Sequence, residues 1–408
     1  MKRLNVNLDF GVETYSVGQL VNDAGEILFR YNAQFLERGY NLSPFRLKMN
    51  AEPQTASVDF FEGLFGVFSD SLPDGWGRLL MDRYLRERNL LADGFNVLDR
   101  LAYVGTNGMG ALTYQPAKEA SGHFKGLDLD KIATASAEVL RGEDVDVVEQ
   151  LVQLTGSSGG ARPKITALYN ATADELMSWP PREAPPPGFA EWLIKFPATI
   201  DPPDIARIEL FYADLARKAG LEVAPTRLFT GASGATYFGT QRFDRRGNER
   251  LHLHTVAGIL HDNFRYPNLD YGHVMHAAYE LEQDSSVYER VLRLAAFNVY
   301  AHNLDDHSKN ISFLMDRYGK WTLAPAYDLT FSHSPHGYHS MSVAGVAKAP
   351  GFADLKRLAE EFGVVDAGDI IAEVRQTVLA SLTDLDQYQL STSSAKEIRQ
   401  TLRAVSKS

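Results

Sequence analysis

An aspartate, an asparagine and a second aspartate stand in this chain at intervals that phosphoryl transfer uses. Asp305 opens the run Asp305-Asp306-His307-Ser308-Lys309-Asn310; Asn310 follows it by five positions, and Asp328 lies 18 positions further on, in Tyr327-Asp328-Leu329. Moving a phosphoryl group to a hydroxyl needs a carboxylate that accepts or orients the hydroxyl proton. It also needs an amide oxygen and a second carboxylate for the magnesium that bridges the ATP phosphates. The Asp305 to Asn310 interval equals that of the kinase catalytic loop H-R-D-x-x-x-x-N, and Asp328 falls where D-F-G would supply its metal ligand. The three residues describe a kinase of unusual sequence.

The other parts of a nucleotide site are dispersed, and each alone is a weak signal. Gly156-Ser157-Ser158-Gly159-Gly160 precedes a strand, and amides without Cβ crowding can approach phosphate closely. It is not a Walker A loop, because Ala161-Arg162 stands where Gly-Lys is needed, and it is not the dinucleotide G-x-G-x-x-G. A bare glycine cluster of this kind is more often a plain loop. Lys195 sits inside the apolar strand Leu193-Ile194-Lys195-Phe196, as an edge residue or as a cation aimed at phosphates. Glu209 follows on an amphipathic helix expected over Ile205–Gly220. Glycine-rich loop, strand lysine, helix glutamate and then Asp/Asn/Asp is the order of kinase parts.

The elements that must hold these residues follow from patterning. Strand-like alternation covers Leu4 to Leu8, and Asp23-Ala24-Gly25 is a hairpin signal. Residues 58–104 look helical, as do Lys131 to Leu140 and Val145 to Leu154. Strands are expected at Lys164–Tyr169, Trp192–Phe196, Arg227–Phe229 and Tyr237–Phe243, and mostly helix from about 252 onward. With 408 residues the chain is long for one core, so two packed lobes are expected, divided near residue 245 between a strand-rich and a helix-rich half.

Composition narrows the function classes. A formal net charge of −11 argues against a general electrostatic grip on nucleic acid by the chain alone. The absence of cysteine excludes disulfides, thiolate zinc sites and a cysteine nucleophile, and agrees with a reducing compartment. No apolar run approaches the ~20 residues of a membrane span. The expectation is a cytoplasmic enzyme with no membrane contact.

Several motifs together resemble the HipA-like serine/threonine kinases, the toxin components of bacterial toxin–antitoxin modules. They are Gly160-Ala161-Arg162-Pro163-Lys164, close to that family's G-A-Q-x-K phosphate loop; Leu193 to Pro197; Gln241-Arg242-Phe243-Asp244-Arg245; Asp305 to Asn310; and Ala326-Tyr327-Asp328-Leu329. Leu72-Pro73-Asp74-Gly75 and Gly105 to Ala111 are softer matches. The resemblance implies Asp305 as catalytic base, His307 as a positioning neighbour, and Asn310 and Asp328 as Mg2+ ligands. It implies ATP contacts from Ser157, Ser158, Gly159, Gly160, Ala161, Lys164 and Lys195, with Glu209 as the lysine's partner. Gln241 and Phe243 would flank the adenine. It further implies autophosphorylation at Ser157 or Ser158, although Arg162-Pro163 departs from the usual Gln-x.

The fold this implies is α+β, two-lobed and protein-kinase-like of the HipA type. Residues 1–125 would form an N-terminal subdomain, 126–245 the kinase N-lobe, and 246–408 a helical C-lobe. The substrate class implied is the translation machinery, aminoacyl-tRNA synthetases above all, so that phosphorylation inhibits growth. The implied partner is a small helix-turn-helix antitoxin of the HipB kind, which would bring the acidic kinase to DNA only indirectly. Two rivals stand beside it: an inactive kinase acting as corepressor or scaffold, and a small-molecule or lipid kinase. Among the remaining residues, Asp306 is expected to be a solvated neighbour. His333, His336 and His339 are expected in a loop near the acceptor and not in a zinc site. His252 and His254 are expected to face solvent or a neighbour, and the four tryptophans to pack in the core.

Overall fold

The computed structural model describes residues 2–91, 95–118, 127–143, 145, 148–157, 159–179 and 183–407. The expected boundary at 125/126 and the candidate Ser158 lie outside them.

An antiparallel five-stranded sheet opens the chain, in the order Gln54–Thr55, Glu26–Tyr31, Thr14–Asp23, Arg3–Asp9, Leu112–Gln115. Alternation decides its faces: Leu4, Val6 and Leu8 point inward and are buried. Asp23 pairs with Glu26 across a two-residue turn in which Ala24 and Gly25 have φ of +49° and +102°. Positive φ at both positions is what a tight hairpin turn with the twist of its strands requires. The expected helical stretch 58–104 breaks into a short turn at Phe61–Gly63 and helices Gly66–Ser69, Gly75–Glu87 and Val97–Val104. Pro73 and the glycines at 63, 66 and 75 provide the breaks.

A second antiparallel sheet has the order Glu175–Met177, Lys164–Asn170, Ala190–Lys195, Thr236–Gln241, Thr226–Thr230. Its register sets Lys195 directly between Lys164 and Phe238. Helices Leu129–Arg141 and Val148–Thr155 close one side of the sheet, around Trp76, Leu80, Ile165, Ile194 and Phe229. Helix Ile205–Lys218 presents Ile208, Phe211, Tyr212 and Leu215 to the larger core.

The C-terminal part is built on helices Tyr271–Glu282, Ser286–Tyr300, Phe352–Glu361, Ala367–Ser381 and Thr392–Val405. Between the second and third of these, the loop 303–310 leads into strand Ser312–Met315, which turns back through strand Trp321–Leu323. That hairpin explains the Asn310 to Asp328 interval, because the chain runs out and returns before reaching Tyr327-Asp328. The apolar core of these helices is continuous with that of the first sheet, so Phe10, Phe29 and Phe68 share one cluster with Tyr271, Phe297 and Leu355.

Two buried polar clusters tie the N-terminal segment to the rest. His254 Nδ1 lies 2.6 Å from Asp70 Oδ2, and its Nε2 lies 3.0 Å from Ser43 Oγ. Asp70 also accepts from Thr255 N and Oγ1 at 2.8 and 2.7 Å. His252 Nε2 is 3.1 Å from Leu42 O, and burial pushes this imidazole down to about 3. Of the two expected surroundings, solvent or a neighbour, the structure shows the second: both histidines are fully buried, since the strand His252–Thr255 is covered by residues 42–70. The Ser43-His254-Asp70 row has the order of a hydrolytic triad, but Ser43 is 1% exposed and no substrate can reach it.

The second cluster centres on Asp244, which is wholly buried. It binds Arg242 Nη2 at 2.8 Å and Arg245 Nη1 at 2.7 Å, and accepts from Gly110 N at 2.7 Å. Both arginines also reach Gly108 O, at 3.3 and 3.0 Å, and Arg242 pairs with Glu191 at 2.9 Å. Trp76, Trp192 and Trp321 are buried as expected, whereas Trp179 is only half-buried, on a loop where its Nε1 donates to Glu183 O at 3.1 Å. Among the described residues no helix is long and apolar enough to cross a membrane.

Candidate active site

Three chain segments meet around one lysine. Lys195, at the end of strand Ala190–Lys195, places Nζ 2.5 Å from Asp328 Oδ1 and 3.1 Å from Glu209 Oε2. Its side chain is 8% exposed, and so is a cation inside the fold held by two carboxylates. Burial alone would lower the ammonium pKa, but Asp328 and Glu209 outweigh it and raise it. Burial likewise works to raise Asp328, and Lys195, Lys164 and Arg162 outweigh it, holding that carboxyl well below its ordinary range. Lys164 lies opposite Lys195 in the sheet; burial lowers its pKa against the attraction of Asp328.

Glu209 is on the inward face of helix Ile205–Lys218 and is shared. Its Oε1 receives Arg162 Nη1 at 2.9 Å, while Arg162 also forks onto Asp201 with Nε at 3.1 and 3.0 Å and Nη2 at 2.9 Å. The departure at Arg162 thus has a local reason: a guanidinium can bridge two carboxylates that a glutamine amide could not neutralise. Arg162→Gln is expected to leave Asp201 without its ion pair and to lower stability by about 1–3 kcal/mol. Urea midpoints of the two proteins check this, and equal midpoints would contradict it.

The catalytic-loop candidates are fastened by their backbone. Ser332 Oγ accepts from Leu304 N at 2.8 Å and from Asp305 N at 3.1 Å, and in turn donates to Asn303 Oδ1 at 3.2 Å. Asn310 donates its side-chain N–H to Asp305 O at 2.8 Å, so its amide oxygen is the group left to meet a cation. The Asp305 side chain retains 60% of its surface and lies 3.7 Å from His307 Nε2. Desolvation, then Asp328 and Asp306, raise the Asp305 carboxyl pKa against the opposing pull of His307. His307 itself packs on Phe264, with ring centroids 5.1 Å apart.

Asp306 is not solvated, contrary to expectation. It is 2% exposed and accepts from Ser340 N at 2.8 Å and Tyr271 OH at 3.0 Å, with His339 Nδ1 also at 3.0 Å. Consecutive aspartates in an extended loop point opposite ways; the one that reaches the helices becomes an anchor. His339 is therefore buried against Asp306, while exposed His333 pairs with Glu397 at 3.0 Å. No cluster of three or more His, Cys, Asp or Glu suited to a metal occurs among the described residues. A magnesium ion needs less, since Mg2+ is bound by one or two carboxylates together with substrate phosphates. Asp328 and Asn310 offer hard oxygen donors of that kind.

Around the nucleotide candidates, Phe243 lies 5.3 Å from the Tyr327 ring, and Tyr327 OH donates to Lys309 O at 2.6 Å. Gln241 ends strand Thr236–Gln241 opposite Trp192 and is half-buried. Ala161 is exposed on the loop beside Gly160. Ser157 is turned inward: it is 3% exposed and its Oγ accepts from Met109 N at 2.8 Å. Sequence reasoning gave no role to Asp74, Arg162, Asp201 or Lys309. Asp74, Arg162 and Lys309 were visible only as members of motif matches, and Asp201 carried no signal apart from the partners that folding brings to it.

Comparison with known proteins adds the family. The family model for the HipA-like C-terminal domain matches residues 156–382, and that for the HipA N-terminal domain matches residues 8–115. Among solved structures, the chain is similar to one in the Shewanella oneidensis MR-1 toxin–antitoxin complex of HipA, HipB and operator DNA. The identity is 16% and the TM-score 0.71, covering 98% of this chain and 95% of that one. The likeness shows the fold, as expected: mixed α and β, of the HipA kind. The kinase CtkA of Helicobacter pylori matches at 12% identity over 53% of this chain and 86% of that one, with a TM-score of 0.38, too low to carry an argument. Comparison with curated protein sequences finds no match.

Proposed function

We propose that this chain, which belongs to the HipA family, is an ATP-dependent kinase that transfers the γ-phosphate to a serine or threonine hydroxyl of a protein. The observation that carries the reading is Lys195 held between Glu209 and Asp328, three residues from separate segments. A kinase needs this lysine fixed by a helix glutamate and set beside the metal-binding aspartate. In the proposed roles, Lys195 and Lys164 face the ATP phosphates, and the glycine-rich loop 156–160 covers them. Gln241 and Phe243 border the adenine, and Asp305 takes or orients the acceptor proton while His307 steadies its loop. Asn310 and Asp328 would hold Mg2+, which when bound neutralises charge between the β- and γ-phosphates.

The complex containing the Shewanella protein supports a further reading, that this chain is a toxin partnered by a small HipB-like, DNA-binding antitoxin. The net charge of −11 suits DNA contact through that partner and not directly. The proposed acceptor class is the translation machinery, with aminoacyl-tRNA synthetases as the first candidates.

Autophosphorylation of the glycine-rich loop belongs to the same proposal. A phosphate on Ser157 has no room at its inward position, so modification would exchange the Met109 contact for an outward loop. Incubation with Mg-ATP followed by intact-mass and peptide mass spectrometry tests this. Phosphate is expected on the peptide carrying Ser157 and Ser158 in the parent, and absent from Asp305→Asn. An unmodified parent that still binds ATP would rule out self-modification and favour the corepressor reading.

A further inference from the structure

The phosphate loop is not held by its own strand alone. Asp74, just before helix Gly75–Glu87, accepts a hydrogen bond from Gly160 N with one carboxylate oxygen. Its other oxygen lies 2.6 Å from Lys309 Nζ, the residue next to Asn310 in the catalytic loop. Trp76 N donates to Gly160 O at 3.0 Å, so the Gly160 residue is gripped at both its N–H and its C=O. The approach is close enough to need glycine at 75, where a Cβ would stand 2.5 Å from Gly160 O; a Cβ on Gly159 would make a tight 3.1 Å contact with Asp74 Oδ1.

Asp74 remains ionised in this setting. Burial works against the charge, but Lys309, Gly160 N and Lys164 lower its pKa. Trp76 anchors the grip: it is 2% exposed and its Nε1 donates to Thr155 Oγ1 at 3.3 Å, below the loop. Among the described residues, the other close contact of Lys309 Nζ is the Phe264 ring, 5.0 Å to its centroid.

We propose that Asp74 is a positioning residue for phosphoryl transfer, clamping the glycine-rich loop at Gly160 and the catalytic loop at Lys309 in one fixed register. The proposal rests on the kinase reading above and deepens it. Asp74 touches neither reacting atom; it acts through Gly160 and Lys309. Through it the N-terminal segment becomes part of the catalytic machinery, since loop and base are then set by the same carboxylate.

The test uses the full chain and four variants: Asp74→Ala, Asp74→Asn, Lys309→Met and the double Asp74→Asn/Lys309→Met. Two quantities are read: hydrogen–deuterium exchange of the peptide spanning the glycine-rich loop, and Kd for Mg-ATP with the rate of γ-phosphate loss. In Asp74→Ala, loop exchange should accelerate about ten-fold, the worth of one charge-assisted hydrogen bond, and Mg-ATP should bind several-fold more weakly. Asp74→Asn keeps an acceptor for Gly160 N, so the loop should stay protected while the phosphate-loss rate falls. Lys309→Met should then cost several-fold in the parent and nothing further in the Asp74→Asn background. General loosening of the fold would not produce that coupling.

Unchanged loop exchange in Asp74→Ala would overturn the clamp, as would additive losses in the double variant. Tighter Mg-ATP binding or faster turnover in Asp74→Ala would also overturn it, by making Asp74 an inhibitory contact. A parent that binds no Mg-ATP would overturn the kinase reading and with it any positioning of phosphate chemistry. The loop-exchange rates would still decide separately whether Asp74 holds Gly160.

Discussion

On the proposed kinase reading, phosphate transfer from Mg-ATP is expected to fall by about 10²–10⁴-fold in the Asp305→Asn protein, the usual worth of a positioned general base. The fold has no reason to change. Among the described residues, the hydrogen bonds fastening position 305 use its backbone atoms, from Asp305 N to Ser332 Oγ and from Asn310 Nδ2 to Asp305 O. Asparagine preserves the size of the side chain while removing its negative charge and its capacity to accept a proton. Neither neighbouring carboxylate replaces it, because Asp306 is buried against Tyr271, His339 and Ser340, and Asp328 is engaged with Lys195. Steady-state transfer and Mg-ATP titration of parent and variant check the expectation: the rate should fall while Kd stays within about two-fold, since the proposed base would touch the acceptor and not the nucleotide. Transfer at the parent's rate would remove Asp305 from the mechanism.

The second large effect is on stability. Asp244→Ala is expected to destabilise the protein by about 3–5 kcal/mol, as breaking a buried ion pair does when its partners stay behind. Arg242 and Arg245 are 4% and 6% exposed, and Glu191 would be left to face both. Gly110 N would lose its acceptor as well. The effect has a pH signature. Burial works to raise the Asp244 carboxyl pKa, but Arg242 and Arg245 outweigh it and hold it well below the ordinary value of 3.8. A carboxyl depressed in the folded state adds stability that is complete above its unfolded pKa and disappears as pH falls through the folded one. The gap between parent and variant should therefore be the same at about pH 7 and about pH 5, and should close only below about pH 4. Urea midpoints at those values measure it. A gap that narrows between pH 7 and pH 5 would show that Asp244 is not held as an anion by the two arginines.

Much of the candidate site could be named without coordinates because its signals are local. The Asp305 to Asn310 spacing lies within one loop, Lys195 within one strand, and Glu209 on one helix face. The histidines and Asp306 could not be read in that way. His254 and an exposed strand histidine look alike in a sequence; what differs is the cover of residues 42–70, which lies about two hundred positions away in the chain. Asp305 and Asp306 are adjacent and chemically identical, and the direction of the loop sends one towards solvent and the other into the core. Ser157 looked like a loop hydroxyl open to modification, and its inward turn depends on Met109, a residue 48 positions earlier.

The sequence by itself determined which groups are available and their spacing along short runs of chain. A carboxylate, an amide and a second carboxylate at those intervals, with alternating apolar residues to make the strands beneath them, are properties of the covalent chain and its local periodicity. Only the tertiary structure decided which charge meets which. Asp74 reaches Gly160 across 86 positions and Lys309 across 235, and Lys195 reaches Asp328 across 133. Such pairs are selected by burial: a charge withdrawn from water must find its counter-charge among whatever side chains the two packed sheets and the helices bring within reach.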